Sequence, residues 1–166
     1  DRSRGLGDVY KRQPYGNFGE EYAKDSRRHY YANVTFIDEE IGKVVKTLKE
    51  KGIYDNALIC YISDHGDMLG DHHHWRKTYP YEGSVHVPYI VKWPASYHFT
   101  KGNKITQPVE LRDLLPTFLE IAGSSIPQDM DGQSLLRLME GKTDQWRKYI
   151  DLEHATCYSP DNYWCA

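Results

Sequence analysis

Two spacings of apolar residues divide this chain into helix-like and strand-like segments. Between residues 25 and 51 the apolar or aromatic positions alternate in steps of four and three: Tyr30, Val34, Ile37, Ile41, Val44 and Leu48. This spacing predicts a long amphipathic helix that packs one face against a sheet. Asp25 or Ser26 can cap its start, and Gly52 follows its last basic residues as a stop.

Two short, nearly continuous apolar runs predict strands, over residues 57–63 and 87–93. A strand that is buried on both faces has this composition, so we expect a parallel sheet covered by helices. Pro88 lies near the start of the second run, where a proline is tolerated.

Three further elements follow the second strand. A helix is predicted over residues 113–122, where Pro116 falls in the first turn and Gly123 ends the helix. A shorter helix is predicted over residues 133–140 and a last strand over residues 148–153. This order of elements indicates an α/β fold with a doubly wound sheet.

Composition and charge exclude several classes of protein. An apolar fraction of 39% and a charged fraction of 27% are typical of a folded globular protein. The net charge of -3 gives no basic footprint for nucleic acid. The sequence contains no run of about 20 apolar residues, so it predicts no membrane-spanning helix. The three cysteines, Cys60, Cys157 and Cys165, are too few for a zinc ribbon or a disulfide framework, and pairing of the last two stays open.

Residues 1–13 differ from the rest of the chain. They are rich in Arg, Lys and Gly and have no apolar periodicity. The string DRSRGLGDVYKRQ resembles a translated adapter, so we interpret it as a non-native or disordered leader and leave it out of the fold prediction.

The densest polar chemistry lies in residues 63–88, directly after the first predicted strand. In open α/β sheets, ligands collect beyond the carboxyl ends of the strands. Asp64 and His65 are therefore candidate ligands of a divalent metal, and a turn at Gly66 can bring both onto one ion. The alternative is that Asp64 only caps a turn. Lys77 can hold an oxyanion beside such a metal, although a lone lysine in a loop usually faces solvent.

The other polar residues of this segment have simpler interpretations. Residues 72–74 are consecutive histidines, and three consecutive side chains do not converge easily on one ion. We interpret them as an exposed loop that lines the substrate entrance, with His74 as a candidate substrate contact. Asp67 and Asp71 are expected to be turn and cap residues, and His86 is expected to be structural.

Five ordered segments resemble those of sulfatases in the alkaline phosphatase superfamily. The loop SDHGDMLGDH is followed by a lysine and by EGSVHVPYIVKWP, which is similar to the family pattern EGG-x-R-VP-x-I-x-x-P. Downstream, QPVELRDLLPTFLEIAG and MDGQSLLRLMEG are similar to DLLPT-x-L-x-x-AG and DG-x-SL. The long helix and strand that precede the loop also match. The resemblance covers about residues 14–166 and departs from the pattern at the segment Ser-Val-His, where Gly and Arg are common.

The resemblance implies an α/β fold, a partial alkaline-phosphatase-like doubly wound sheet flanked by helices and truncated at both ends. Residues 14–146 would be the C-terminal part of the catalytic domain, and residues 147–166 the start of a C-terminal strand region. Asp64 and His65 would bind one divalent metal, Ca²⁺ by preference, with Mn²⁺ or another ion as the alternative because His65 offers nitrogen. Lys77 would bind the sulfate group and assist departure of the alcohol or phenol oxygen.

Sulfatases of this type carry a formylglycine made from Cys or Ser in a C/S-x-P-x-R motif, and this sequence has no such motif. We therefore expect a fragment that is inactive alone and belongs to an enzyme that cleaves a sulfate-ester small molecule or a sulfated glycan. The alternatives are a phosphonate monoester or phosphodiester hydrolase of the same superfamily, or a non-catalytic metal-binding module. Family analogy implies a periplasmic or extracellular location, and the oligomeric state stays open.

Overall fold

A computed structural model describes residues 16–77, 79–154 and 164–165 of the protein. The chain divides into two compact units: one runs up to Tyr97 and includes the segment from Glu153 onward, and the other is His98–Leu152. The leader predicted at residues 1–13 and Cys157, whose pairing with Cys165 the sequence leaves open, lie outside the described residues.

The predicted long helix is confirmed as α1, Glu20–Glu50. It begins earlier than expected, after Gly19, because an ion pair of 2.8 Å between Lys24 and Glu20 extends the helix through a polar first turn. Gly52 ends it with a left-handed φ of 67°. No side chain of α1 is buried, so the expected packing of its apolar face against a sheet is wrong for the described structure. None of the helices described is long and apolar enough to cross a membrane.

Both predicted strands form, as β1, Ile59–Ile62, and β2, Tyr89–Lys92. They pair with each other antiparallel, with Ile59 opposite Lys92, so the expected parallel sheet is wrong for these strands. In the described residues of the segment that joins them, the helical elements are a three-residue 3₁₀ turn and a four-residue helix, which are too short for the crossover that a parallel pair needs. Burial on both faces is also wrong, because the Ile90 side chain is 63% exposed.

The lysine at the end of β2 fixes the entry to β1. Lys92 Nζ donates hydrogen bonds to the carbonyl oxygens of Tyr54 and Ala57, at 2.5 and 3.0 Å, and it lies over the Tyr54 ring. The backbone N–H of Ala95 donates to Asp55 O at 2.7 Å. These contacts hold the two-stranded sheet in place at the base of residues 63–88, which we call the histidine-rich loop.

The remaining elements are short. The loop contains a 3₁₀ turn, Asp71–His73, and the helix α2, Glu82–Val85. In the second unit, a 3₁₀ turn, Leu111–Asp113, leads into α3, Leu114–Ile121, and α4 is Leu136–Met139. As predicted, Pro116 lies in the first turn of α3, where its missing N–H is not needed.

The last predicted strand is displaced. The described strand β3 is Glu153–His154, and it pairs antiparallel with β4, Trp164–Cys165. The expected strand over residues 148–153 is therefore wrong except at its final residue, because the residues before Glu153 have no strand partner in the described chain.

A buried ion pair organises the second unit. The carboxylate of Asp113 is fully buried and accepts two hydrogen bonds from the guanidinium of Arg147, at 2.5 and 2.7 Å. The backbone N–H groups of Glu110 and Gln133 also donate to Asp113, at 2.9 and 2.8 Å. The hydrogen bond from Arg147 to this carboxylate raises the pKa of the arginine. The second unit also contains the buried apolar residues Leu135, Leu136, Leu138 and Trp146.

Candidate metal and sulfate site

The two candidate metal ligands occupy a tight turn directly after β1. Ser63 Oγ donates a hydrogen bond to His65 O at 2.7 Å, and the backbone N–H of His65 donates to Asp64 Oδ1 at 3.0 Å. The turn brings both side chains to one side, with Asp64 Oδ2 and His65 Nε2 3.6 Å apart. Asp64 therefore does cap a turn, and its second carboxylate oxygen faces the imidazole.

The imidazole of His65 is oriented for ligation. Its Nδ1 lies 2.8 Å from the carbonyl oxygen of Gly66, which can only accept a hydrogen bond. Nδ1 therefore carries the proton of the neutral ring, which leaves the lone pair of Nε2 available 3.6 Å from Asp64 Oδ2. A backbone carbonyl that fixes the tautomer in this way is typical of metal-binding histidines.

The pair also meets a simple distance test. Two donor atoms that bind one cation at about 2.0–2.4 Å lie roughly 3–4 Å from each other. The 3.6 Å separation between Asp64 and His65 falls in this range. In the part of the chain that the structure describes, no group of three or more His, Cys, Asp and Glu side chains could hold a metal ion. The two residues fit as part of a metal site.

Two glycines let the turn pack against the segment before β2. The N–H of Gly66 donates to Ser84 O at 2.7 Å, and a Cβ at Gly66 would lie 2.2 Å from Gly83 O. A Cβ at Gly83 would lie 3.2 Å from Asp67 O. The backbones of the two motifs are therefore in direct contact, which the sequence analysis missed although both glycines stand in the motifs.

Asp67 closes the neck of the histidine-rich loop. Its Oδ1 accepts hydrogen bonds from the backbone N–H groups of Leu69 and Arg76, at 2.9 and 3.0 Å. The N–H of Met68, whose side chain is buried, donates to Arg76 O at 2.5 Å. The predicted role of Asp67 as a turn residue is confirmed.

Side chains of helix α1 bind the histidine-rich loop. Arg27 Nε donates a hydrogen bond to Leu69 O at 2.9 Å, and the guanidinium lies 3.6 Å from the carboxylate of Asp71. The ring of Trp75 packs edge-on against Tyr22, with centroids 5.3 Å apart. The loop is thereby fixed on the first turns of α1.

The loop backbone is strained. Left-handed φ angles between 48° and 70° occur at four residues that are not glycine: Leu69, His72, His73 and Arg76. Each such residue costs about 1–2 kcal/mol relative to ordinary backbone. Strain of this kind persists only where surrounding contacts impose it, and it collects at functional sites.

Lys77 follows this strained loop and is exposed. No hydrogen bond or ion pair joins its ammonium to another described residue, Asp64 and His65 included. His74 is partly buried against Tyr79, and the pKa of its imidazole is lowered by burial and then by repulsion from His72 and His73. The structure thus brings the two metal candidates together and leaves Lys77 as a separate, accessible cation.

His86 pairs with an acidic residue of the short helix before β2. Its Nδ1 lies 2.7 Å from a carboxylate oxygen of Glu82, one turn earlier in the chain. Both side chains are exposed, and the pair spans the short helix α2.

Comparison with known proteins decides the family. The sequence pattern of the family described as Sulfatase matches residues 7–124, which is more than half of the chain. The chain belongs to the sulfatase family. It is 39% identical over 149 residues to an arylsulfatase of Clostridium perfringens, a match that covers 89% of this chain and 31% of that protein.

Two solved structures resemble this sulfatase-family chain closely. The phosphonate monoester hydrolase of Silicibacter pomeroyi matches with a TM-score of 0.66 and 39% identity, over 71% of this chain and 23% of that one. A protein in complex with its substrate D-glucosamine-2-N,6-O-disulfate matches with a TM-score of 0.63 and 32% identity, over 76% and 26%. The chain spans less than a third of each of these three proteins. It has part of the sulfatase fold.

Proposed function

We propose that the intact protein is a sulfatase that hydrolyses a sulfate ester, and that this chain supplies part of its metal and sulfate site. The observation that supports this best is the 3.6 Å approach of Asp64 Oδ2 and the oriented Nε2 of His65, in a chain of the sulfatase family. These two residues would hold one divalent cation, Ca²⁺ or, given the nitrogen donor, Mn²⁺ or another ion. A bound cation would supply positive charge beside the sulfate oxygens.

Lys77 is the proposed sulfate-binding and catalytic residue. Its ammonium carries three donors and is not engaged by any residue that the structure describes, so it can hold sulfate oxygens and offset charge on the departing ester oxygen. His74 is a proposed substrate contact. Its lowered pKa favours the neutral imidazole, a form that has one donor and one acceptor nitrogen.

The nucleophile is proposed to lie outside this sequence, as a formylglycine made from Cys or Ser. The 166 residues contain no C/S-x-P-x-R motif, and the match with the Clostridium perfringens arylsulfatase covers only 31% of that protein. We therefore expect no turnover of a sulfate ester by the 166-residue chain alone. The division into a leader (1–13), a catalytic part (14–146) and a C-terminal strand region (147–166) is part of the same proposal.

The test uses the intact protein and three variants. Asp64→Ala should lower the affinity for the metal by roughly 10- to 100-fold. Lys77→Ala should lower kcat for a sulfate ester by roughly 10²–10³-fold, with the metal retained. Asp129→Ala, at an exposed position of the second unit, is the matched control and should change neither. Normal metal content and turnover in Asp64→Ala would refute the proposed site.

A second candidate function is hydrolysis of phosphonate monoesters. It is favoured by the 39% identity to the Silicibacter pomeroyi phosphonate monoester hydrolase, which equals the identity to the arylsulfatase. The values of kcat/KM for a sulfate and a phosphonate ester of the same phenol would separate the two activities. A sulfated amino sugar should be included, because one relative acts on a disulfated glucosamine. A preference for the phosphonate would select the second function.

A further inference from the structure

Four ring side chains pair across the segment that carries Lys77. The ring of His72 stacks on Tyr81, with centroids 4.2 Å apart and planes inclined by 16°. The ring of His74 lies against Tyr79, with centroids 4.1 Å apart and planes inclined by 34°. The pairs are nested, the outer joining residues 72 and 81 and the inner joining residues 74 and 79. Lys77 therefore lies in the tip of a loop whose two sides are joined twice.

We propose that these two ring pairs position Lys77 for sulfate, an inference that rests on the proposed sulfate-binding role of that residue. The ammonium has no hydrogen bond or ion pair with another described residue, so the place it can reach is set by the backbone beneath it. On one side that backbone is fixed at Arg76, which is bound to Asp67 and Met68. On the other side, the ring pairs join Tyr79 and Tyr81 to the loop, and Tyr81 O also accepts hydrogen bonds from the N–H groups of Ser84 and Val85 in α2.

Ring packing suits this loop better than a strand ladder does. The φ angles of His72, His73 and Arg76 are 52°, 62° and 70°, so this side of the loop cannot adopt the extended backbone that a regular hairpin needs. Stacked and tilted ring pairs, such as these two, supply an attraction that does not depend on backbone direction. Burial and the neighbouring histidines lower the pKa of His74, which favours the neutral form of the inner ring beside Lys77.

The outer pair offers a variant that tests this directly. Tyr81 and His72 are both exposed, so their rings can be changed without opening a buried core. Tyr81→Phe keeps the ring and should act as wild type, whereas Tyr81→Leu removes the stack. His72→Leu removes it from the other side and serves as the second variant. Tyr149→Leu, at a tyrosine that is 73% exposed in the second unit, is the matched control.

Two measurements on the 166-residue chain report the position of Lys77. The first is the dissociation constant for inorganic sulfate, followed by NMR at the side chain of Lys77, with Lys77→Ala as the reference for lost binding. The second is the rate of tryptic cleavage after Arg76 and Lys77, because a loop that opens more often is cut faster. Tyr81→Leu and His72→Leu should bind sulfate several-fold more weakly and be cut several-fold faster. Tyr81→Phe and Tyr149→Leu should do neither, and the melting temperature should stay the same in all four.

Wild-type sulfate affinity and cleavage rate in both leucine variants would overturn the inference. A different failure has a different signature. If Lys77→Ala binds sulfate as well as wild type while cleavage still depends on the rings, the sulfate role of Lys77 in the proposed function is wrong, and the loop closure is then structural only.

Discussion

Gly66 is the residue at which the candidate site tolerates least change. A Cβ there would lie 2.2 Å from the carbonyl oxygen of Gly83, a backbone atom that cannot rotate away. We expect Gly66→Ala to lower the free energy of unfolding by about 1–3 kcal/mol. The change should also separate the turn that carries Asp64 and His65 from the segment before β2. Gly42→Ala is the control, since nothing lies near its Cβ inside α1, and it should raise stability by roughly 1 kcal/mol. Equal effects of the two changes in urea unfolding would contradict the close packing.

The histidine triplet should make the stability of the loop depend on pH. The pKa of His74 lies below its ordinary value of 6.5 in the folded chain, because burial and repulsion from His72 and His73 disfavour the imidazolium. The unfolded chain therefore binds a proton first as the pH falls. The stability that the neutral ring contributes is complete above pH 6.5 and is lost as the pH falls from there through the folded pKa.

His74→Phe keeps a ring beside Tyr79 but removes the titration, so its melting temperature should fall less than that of wild type between pH 7 and pH 5. Thermal unfolding at several pH values measures this difference. Since all other titratable groups are shared by the two proteins, parallel pH curves would show that His74 is not the group responsible.

At the scale of single residues, the sequence alone predicted Asp64, His65 and Lys77 as site residues from the fixed order of their motif, and the structure brings the first two within 3.6 Å of each other. The sequence did not reveal the ring pairs between residues on either side of Lys77 in the chain. The loop that carries those pairs has left-handed φ angles at His72 and His73, and a histidine in the sequence does not by itself predict that conformation.

Among the elements, the 3₁₀ turn at Leu111–Asp113 depends on one ion pair. Removing one partner of a buried pair leaves the other charge uncompensated, so Asp113→Asn should cost about 3–5 kcal/mol of unfolding free energy. Asp131→Asn is the matched control: its carboxylate is exposed and lies 3.8 Å from Arg112, so little change is expected. Chemical denaturation of the second unit, followed by Trp146 fluorescence, measures both. A loss in Asp113→Asn no greater than in the control would show that Arg147 is solvated in the folded protein.

The elements also show how far periodicity carries a prediction. Apolar residues spaced by three and four predicted α1, and continuous apolar runs predicted β1 and β2, because the spacing of apolar residues follows the positions that can be buried in a helix or a strand. Strand direction is not recorded in such a run. The 63–88 loop, held by Gly66, Gly83 and Asp67, sets the antiparallel pairing through contacts between residues far apart in sequence.

At the scale of the whole molecule, the chain exposes an apolar helix face that its own described residues do not cover. No side chain of α1 is buried, and the exposed fractions of Val34, Ile37 and Val44 are 44%, 47% and 60%. These three residues belong to the stripe that the sequence pattern places on one face. Contiguous apolar surface of this kind drives association in water.

We therefore expect the purified 166-residue chain to associate as its concentration rises, and Val34→Gln, Ile37→Gln and Val44→Gln combined to keep it monomeric. The triple variant should retain its helix, because glutamine has a helix propensity at least equal to that of valine and isoleucine. The matched control changes three exposed residues on the opposite face, Arg28, Glu39 and Lys46, to glutamine and should associate like the parent chain. Sedimentation velocity over a range of concentrations, with circular dichroism for helix content, distinguishes the three proteins. Association that persists in the triple glutamine variant would mean that another surface drives it. The exposed faces of β1 and β2 would be the next to change.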